Sequence, residues 1–233
     1  VIVKSKIYYL DQVDSTNDYL RTMVNESPEG TVVIADQQTK GRGRFNRVWF
    51  SPEGGLWMSV LLVSDRPQLM TVLGAVAVCE TMNNYDILLG IKWPNDILLN
   101  GKKVGGILAD TVDGKTVLGI GLNLTIRDFP DDIEMGTTSI FLELKKKFDK
   151  MMIFDLLCKE IDDLYGSYKL GRELDLLVKW RHYTIMLGRT VQIETEDRTL
   201  TGRAIDISSD GGLVVTTLEG KIERILDGSC SLI

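Results

Sequence analysis

Gln38-Thr39-Lys40-Gly41-Arg42-Gly43-Arg44-Phe45-Asn46-Arg47-Val48-Trp49 gathers three arginines, two glycines and one tryptophan into twelve positions. Apolar runs flank it, Thr31 to Ala35 before and Leu56 to Val63 after, and both read as strands. A glycine-punctuated basic segment between two strands is a loop. Gly41 and Gly43 let the backbone approach a ligand or take positive φ. Arg42, Arg44 and Arg47 supply planar forks of donors suited to carboxylate or phosphate. Trp49 adds a flat face for a ring. Taken alone, the loop admits three readings: a solvated basic turn, a nucleic-acid contact, or a site for a small anion inside an enzyme.

The rest of the chain narrows them. It has 233 residues, with 44% hydrophobic and 26% charged, as in an ordinary globular protein. Its net charge is −6 and its pI about 5.0, opposite to the basic surplus of a general nucleic-acid binder. The arginines are therefore a local feature on an acidic background, which favours a focused anion site. Cys79, Cys158 and Cys230 are odd in number and far apart, so neither a disulfide framework nor a metal spacing is present, and a reducing, cytoplasmic location is expected. The single histidine, His182, reads as a helix-surface residue, which leaves no histidine-based triad or metal site. No run is long enough to span a membrane and no signal-peptide pattern opens the chain, which starts at Val1.

In order, Lys6 to Val13 reads as a strand and Ser15 as the cap of a helix to about Val24, with Asp18 completing a capping box. Leu56 to Val63 is too apolar for an edge strand. Pro67 opens a helix to about Asn83 that is apolar nearly all round and so should be buried. A strand ends near Trp93, because Pro94 cannot continue a central ladder, and Asn95 and Asp96 fall in the turn after it. They are common turn residues, or else Asp96 helps to hold Mg²⁺. Asn100-Gly101 and Asp113-Gly114 read as tight hairpin turns, with Lys103 opening the returning strand. Val117 to Leu122 is another strand, ending in Asn123. Its Gly119 and Gly121 suggest that something packs closely on the backbone. Arg127 to Glu134 reads as an irregular loop, and Lys145-Lys146-Lys147 as a solvated face. Helices are expected from about Asp149 to Tyr168 and Glu173 to Tyr183. From Gly188 on, short strands at Thr190 to Glu194, Leu200 to Ile207, Leu213 to Thr217 and Lys221 to Ile225 alternate with turns, as in a small β-barrel or meander. We divide the chain at residues 1–187 and 188–233.

The ordered set of motifs resembles the biotin–protein ligases, also called biotin–[acetyl-CoA-carboxylase] ligases. It comprises Ser15-Thr16-Asn17, Gln38, GRGRFNR at Gly41 to Arg47 with Trp49, and Ser51-Pro52 with Gly54-Gly55-Leu56. KWPND at Lys92 to Asp96, the K-x-x-G-I-L form at Lys103 to Leu108, and GIGLN at Gly119 to Asn123 follow. Single motifs such as GRGR are weak, whereas GRGRxxR together with KWPND is specific, and the match spans nearly the whole chain. Asp110 stands where many members carry glutamate, a conservative departure. Some members carry an N-terminal winged helix and act on DNA. The resemblance here begins at the catalytic part, which implies an enzyme without that role.

What the resemblance implies is an α+β fold: a mixed sheet with flanking helices, like class II aminoacyl-tRNA synthetases and the biotin–lipoate ligases, followed by an SH3-like barrel. The implied reaction activates biotin with ATP and Mg²⁺ to biotinyl-5′-AMP. It then transfers biotin to a lysine of a biotin carboxyl carrier protein, with the enzyme expected to be a homodimer. By position, Lys103 and Arg44 are implied as catalytic. Ser15, Thr16, Asn17, Gln38, Gly41, Arg42 and Gly43, with Arg44 and Lys103, are implied to bind biotin. Arg47, Trp49, Lys92, Asn95, Asp96 and Asn123, again with Arg44 and Lys103, are implied to bind ATP. The chemistry suits this, because a carboxylate approaches a triphosphate only when cations screen both. The glycine-punctuated loop is expected to be less ordered without ligand. Lipoate ligation, a non-catalytic sensor and a nucleic-acid module are the alternatives. The GRGRFNR loop with the C-terminal β segment weighs against the first, the intact Lys103 and arginine set against the second, and the acidic pI against the third.

Overall fold

The computed structural model describes residues 1–131, 133 and 136–233. Part of the loop expected over Arg127 to Glu134 thus lies outside the described residues. Alternating or apolar runs form β1 (Lys6–Val13), β2 (Thr31–Gln38), β3 (Gly55–Leu62), β4 (Gly90–Lys92), β5 (Asp96–Leu99), β6 (Lys102–Val112) and β7 (Lys115–Asn123). They pair in the order β1-β2-β3-β7-β6-β5-β4. β1 runs parallel to β2 and the other pairs are antiparallel, so the sheet is mixed. The hairpin turns are where the sequence places them: Asn100, Gly101, Asp113 and Gly114 all have positive φ, the backbone that a two-residue turn between twisted strands needs. Asp96 differs slightly from expectation. Only Asn95 belongs to the turn after Pro94, and Asp96 is the first residue of β5, paired across from Gly106.

Helix α1 (Thr16–Thr22) lies on one face of the sheet, and Leu20 packs there with Val24, Val33, Leu61 and Val117. Ser15 caps it by accepting the Asp18 N–H at 3.3 Å. The expected capping box is only half made, because the Asp18 carboxylate is drawn instead to Arg42. The other face carries α2 (Pro67–Asn83), with Pro67 in the first turn, where its missing N–H leaves no bond unmade. Its sides are buried between the sheet, α4 (Lys150–Lys169) and α5 (Glu173–Tyr183). That position accounts for a helix with no polar face. The short α3 (Ile140–Leu144) is capped by Ser139. Lys145, Lys146 and Lys147 are exposed, and so is His182 on α5.

The C-terminal segment forms a five-stranded antiparallel sheet, β11-β10-β9-β8-β12. Its strands are β8 (Thr190–Glu194), β9 (Thr199–Ile207), β10 (Leu213–Thr217), β11 (Ile222–Ile225) and β12 (Ser229–Leu232). The first four match expectation and β12 was not foreseen. A single apolar core runs from the large sheet through α2, α4 and α5 into Val191, Ile193, Leu213 and Val215 of the small one. Trp93, almost wholly buried, helps to join the two parts by donating from Nε1 to the Gly211 carbonyl at 3.1 Å.

Candidate active site

A cleft of about 760 Å³ opens between the basic loop, the β4–β5 turn, β6, β7 and the edge strand β12. One end is neutral and polar. The start of α1 delivers Thr16 and Asn17, and the end of β2 delivers Gln38. The Asn17 amide nitrogen donates to the Leu108 carbonyl and to Asp110, both at 3.3 Å, and its oxygen lies 2.6 Å from Ser59 Oγ. Thr16 donates its backbone N–H to Gln38 Oε1 at 2.8 Å, and Gln38 Nε2 donates to Ser51 Oγ at 2.8 Å. Gly119 has no Cβ because one would fall on the Asn17 side-chain oxygen.

The other end is cationic. Lys103, opening β6, pairs with Asp96 at 2.7 Å and sits 5.3 Å from the Trp49 ring centre. Lys92 approaches the same carboxylate at 4.0 Å. Arg44 donates to the Gly228 carbonyl at 3.1 Å, lies 3.4 Å from Asn95 Oδ1 and pairs with Asp227. Burial lowers the Arg44 pKa to about 10, with Asp96 opposing the shift and Arg47 adding to it. Below that value the side chain remains a cation. Burial also raises the thiol of Cys230, on the cleft wall, to about 11, so it stays protonated near neutral pH.

Between the two ends, the Trp49 indole lies over Gly106 and Gly121. A Cβ on Gly121 would stand 2.5 Å from the indole nitrogen. The two glycines that the sequence flagged in the GIGLN strand thus seat Asn17 and Trp49 side by side on one face of β7. Trp49 Nε1 and Asn123 Oδ1 are both buried, and neither has a hydrogen-bond partner among the described residues. Asn123 also lines the cleft, where its amide nitrogen holds the Thr138 carbonyl at 2.9 Å.

Of the residues implied by motif, Ser15, Thr16, Asn17, Gln38, Arg42, Gly43, Arg44, Arg47, Trp49, Lys92, Asn95, Asp96, Lys103 and Asn123 all line this one cleft. Gly41 does not. It is buried behind the wall against the Trp49 carbonyl and Ser51 Oγ, and its carbonyl accepts the Trp49 N–H at 2.8 Å. Arg42 reaches the cleft, but its guanidinium rests on Asp18 and, at 2.9 Å, on Asp110, because two carboxylates flank it there. Sequence reasoning passed over Ser59, Asp227 and the β12 residues Ser229 and Ser231. A serine within the apolar run LWMSVLLV was a usable signal, since a buried hydroxyl needs a partner. So was the alternation of Ser229-Cys230-Ser231-Leu232.

Residues 9–126 match the model of the biotin/lipoate A/B protein ligase family, and residues 186–233 match that of the biotin protein ligase C-terminal domain. The chain is 34% identical to the bifunctional ligase/repressor BirA of Bacillus spizizenii, over 99% of its own length and 75% of that protein's. The chain belongs to the biotin/lipoate A/B protein ligase family. The ligase is also 29% identical to the biotin–[acetyl-CoA-carboxylase] ligase of Mycobacterium tuberculosis, over 87% of this chain and 80% of that one. Its structure matches that of a biotin protein ligase from Aquifex aeolicus, solved in complex with biotin and ATP. The TM-score is 0.88 at 31% identity, with 98% of this chain and 99% of that chain covered. The expected mixed sheet with flanking helices is therefore that of these ligases, and the C-terminal part, expected as an SH3-like barrel, is an antiparallel sheet of the biotin protein ligase C-terminal domain.

Proposed function

We propose that this ligase activates biotin with ATP to biotinyl-5′-AMP and then passes biotin to a lysine of a biotin carboxyl carrier protein. The observation that carries the reading is that one cleft holds neutral amide and hydroxyl groups at one end and Lys92, Lys103, Arg44 and Arg47 at the other. A long ligand with a polar neutral ring and a carboxylate tail fits that polarity, with the tail reaching the cations.

In the first step the carboxylate oxygen of biotin attacks the α-phosphorus of ATP, and pyrophosphate leaves. Lys103 and Arg44 hold the two anions together and stabilise charge on the phosphoryl oxygens, while Arg47 meets the triphosphate. The Asp96 carboxylate, which pairs with Lys103, yields that cation to the incoming anions. The unpartnered Asn123 oxygen suits an N–H donor such as the adenine amine, and Trp49 lines the same cleft. In the second step the acceptor amine attacks the acyl carbonyl, AMP leaves, and the amine releases a proton. Asp96 is the carboxylate at hand to receive it.

No group of three or more His, Cys, Asp or Glu side chains is gathered into a metal site among the described residues. A Mg²⁺ ion needs no such cage, because it keeps water and phosphate oxygens and takes one or two from protein. Asp96 and the Asn95 amide oxygen fit that part. The ion supplies charge neutralisation on the phosphates. The acyl adenylate must be kept from water, and Phe45 and Val48, exposed on the basic loop, are placed to cover it. Closure of that loop on the ligand, a functional division at residues 1–187 and 188–233, a homodimer and a cytoplasmic location belong to the same proposal. Among the described residues no helix is long and apolar enough to cross a membrane.

The test is exchange of labelled pyrophosphate into ATP, with biotin or lipoate in parallel and Lys103→Ala as control. Exchange with biotin alone, lost in the variant, is the expected result. Exchange with lipoate alone moves the chain to the other branch of the family, and none with either refutes the adenylation step.

A further inference from the structure

Arg44 reaches out of the basic loop and onto the small sheet. The turn between β11 and β12 holds it twice: the Asp227 carboxylate pairs with it, and the Gly228 carbonyl accepts from it at 3.1 Å. The carboxylate is itself set in place by the Gly228 N–H, which donates to it at 2.8 Å. We propose that Asp227 is a positioning residue that stands in for a phosphate. While the cleft is empty it holds Arg44, and with it the tip of the basic loop, against the small sheet. It yields the arginine when a phosphate group arrives.

The loop tip needs holding. Phe45 and Asn46 both have left-handed φ, at 54° and 58°. Asparagine tolerates that backbone, whereas an aromatic residue takes it up only under strain. Within residues 43–48 the backbone bonds stay inside the loop: the Gly43 N–H donates to the Arg47 carbonyl at 2.7 Å and the Arg47 N–H to the Arg44 carbonyl at 3.1 Å. Of these residues Arg44 alone bonds to groups beyond the loop, among the described residues. Its guanidinium also lies 4.7 Å from the Phe45 ring centre, so the grip on Arg44 bears on the strained residue. Arg44 needs a counter-charge as well. Asp96 already pairs with Lys103 at 2.7 Å and is approached by Lys92 at 4.0 Å, which leaves Asp227 as the carboxylate bonded to Arg44 itself. Exposure decides which partner moves. The Arg44 side chain is 19% exposed and that of Asp227 62%, so the carboxylate can turn into water at little cost while the arginine stays on the cleft wall. A phosphate carries more charge than a carboxylate and repels Asp227, so it displaces that side chain rather than joining it. Within the ligase reading, on which this proposal rests, the phosphate is that of ATP. Displacing Asp227 consumes part of the binding energy, so Asp227 lowers ATP affinity while it orders the empty loop.

The experiment compares the full chain with its Asp227→Asn and Asp227→Glu variants. Amide hydrogen exchange over residues 43–48 is read in the empty protein. ATP KM is read from pyrophosphate exchange at saturating biotin. Asp227→Asn keeps the shape and removes the charge. Its loop amides should exchange hydrogen about two- to fivefold faster, and its ATP KM should fall by about two- to fivefold. Asp227→Glu keeps the charge and should stay nearer to wild type on both counts. At about 1 M salt the ATP KM values of wild type and Asp227→Asn should converge, because an exposed pair is screened. A merely structural role for the turn has the opposite sign, since a misplaced arginine raises ATP KM. An ATP KM unchanged or raised in Asp227→Asn therefore overturns the proposal, and so do loop amides as protected as in wild type. A wild-type protein without biotin-dependent pyrophosphate exchange overturns the ligase reading. Calorimetric binding of inorganic pyrophosphate then decides this proposal, by whether Asp227→Asn binds it more tightly than wild type. Biotin-dependent activity with an unaffected variant overturns this proposal alone.

Discussion

The two ends of the cleft are built on different principles. At the neutral end each recognition group is pinned by partners that a ligand leaves in place: Leu108 and Ser59 for Asn17, Ser51 for Gln38. At the charged end Lys103 leans on Asp96 and Arg44 on Asp227. The neutral end is organised before the ligand arrives. The charged end is held in place by stand-ins for the ligand's own anions. Neutral dipoles lose little by being locked, whereas buried cations without counter-charges would carry a heavy desolvation penalty.

That contrast can be broken most severely at Lys103. Lys103→Ala should lower kcat/KM for pyrophosphate exchange by about 10²- to 10³-fold, as expected for loss of a group that stabilises transition-state charge. Biotin binding measured by calorimetry in the absence of ATP should suffer far less. Equal losses in both would merge the two ends into one. A smaller effect should come from Gly121→Ala, whose Cβ meets Trp49 Nε1 at 2.5 Å. Overpacking of this kind is worth about 1–3 kcal/mol. Titrating ATP and biotin separately should show ATP KM raised about tenfold and biotin KM unchanged.

Salt sharpens the comparison further. Raising ionic strength to about 1 M shrinks the Debye length to about 3 Å. ATP KM should then climb several-fold while biotin KM barely moves, and parallel curves would mean that both ends work by charge. The smallest effect lies outside the cleft. Arg181 on α5 grips Asp206 on β9 with two bonds, at 2.7 and 3.2 Å. This hydrogen bonding holds the Asp206 carboxyl below its usual 3.8. A pKa depressed by folding contributes stability above the unfolded value, and that contribution is lost as pH falls from about 3.8 through the lower folded value. Both side chains are more than a third exposed, so screening keeps the term within about 1 kcal/mol. Chemical denaturation of Asp206→Asn against wild type should show a small gap at neutral pH that closes in acid.

Much of this was legible in the sequence, because the residues concerned announce themselves locally. Alternation gave the strands, Pro67 gave a helix start, and Asn100-Gly101 gave a turn, each governed by short-range sterics. The motif residues of the cleft were legible as a set through the resemblance. The partners of those residues were not. Asp18 was read as half of a capping box, yet an arginine 24 residues away claims it. Ser229, Cys230 and Ser231 become part of the cleft, and Asp227 a partner of Arg44, only when the small sheet docks, and no local pattern encodes that meeting. Gly41 was implied as a biotin contact by the resemblance, and the close approach of the Trp49 carbonyl, which its missing side chain permits, was not legible.

The sequence distances spanned by the cleft also say something about when it comes into being. Its neutral end joins positions separated by 22, 42 and 93 residues, and Arg44 reaches a carbonyl 184 residues further on. Contacts of such range close slowly and late, after local hairpins and helices have formed. A nascent chain that has made β1 to β5 holds Thr16, Gln38 and the arginines but lacks Asp110, Gly119 and the Gly228 carbonyl. The capacity to hold ligand therefore arrives near the end of folding, and ligand retention serves as a timer for completion of both sheets.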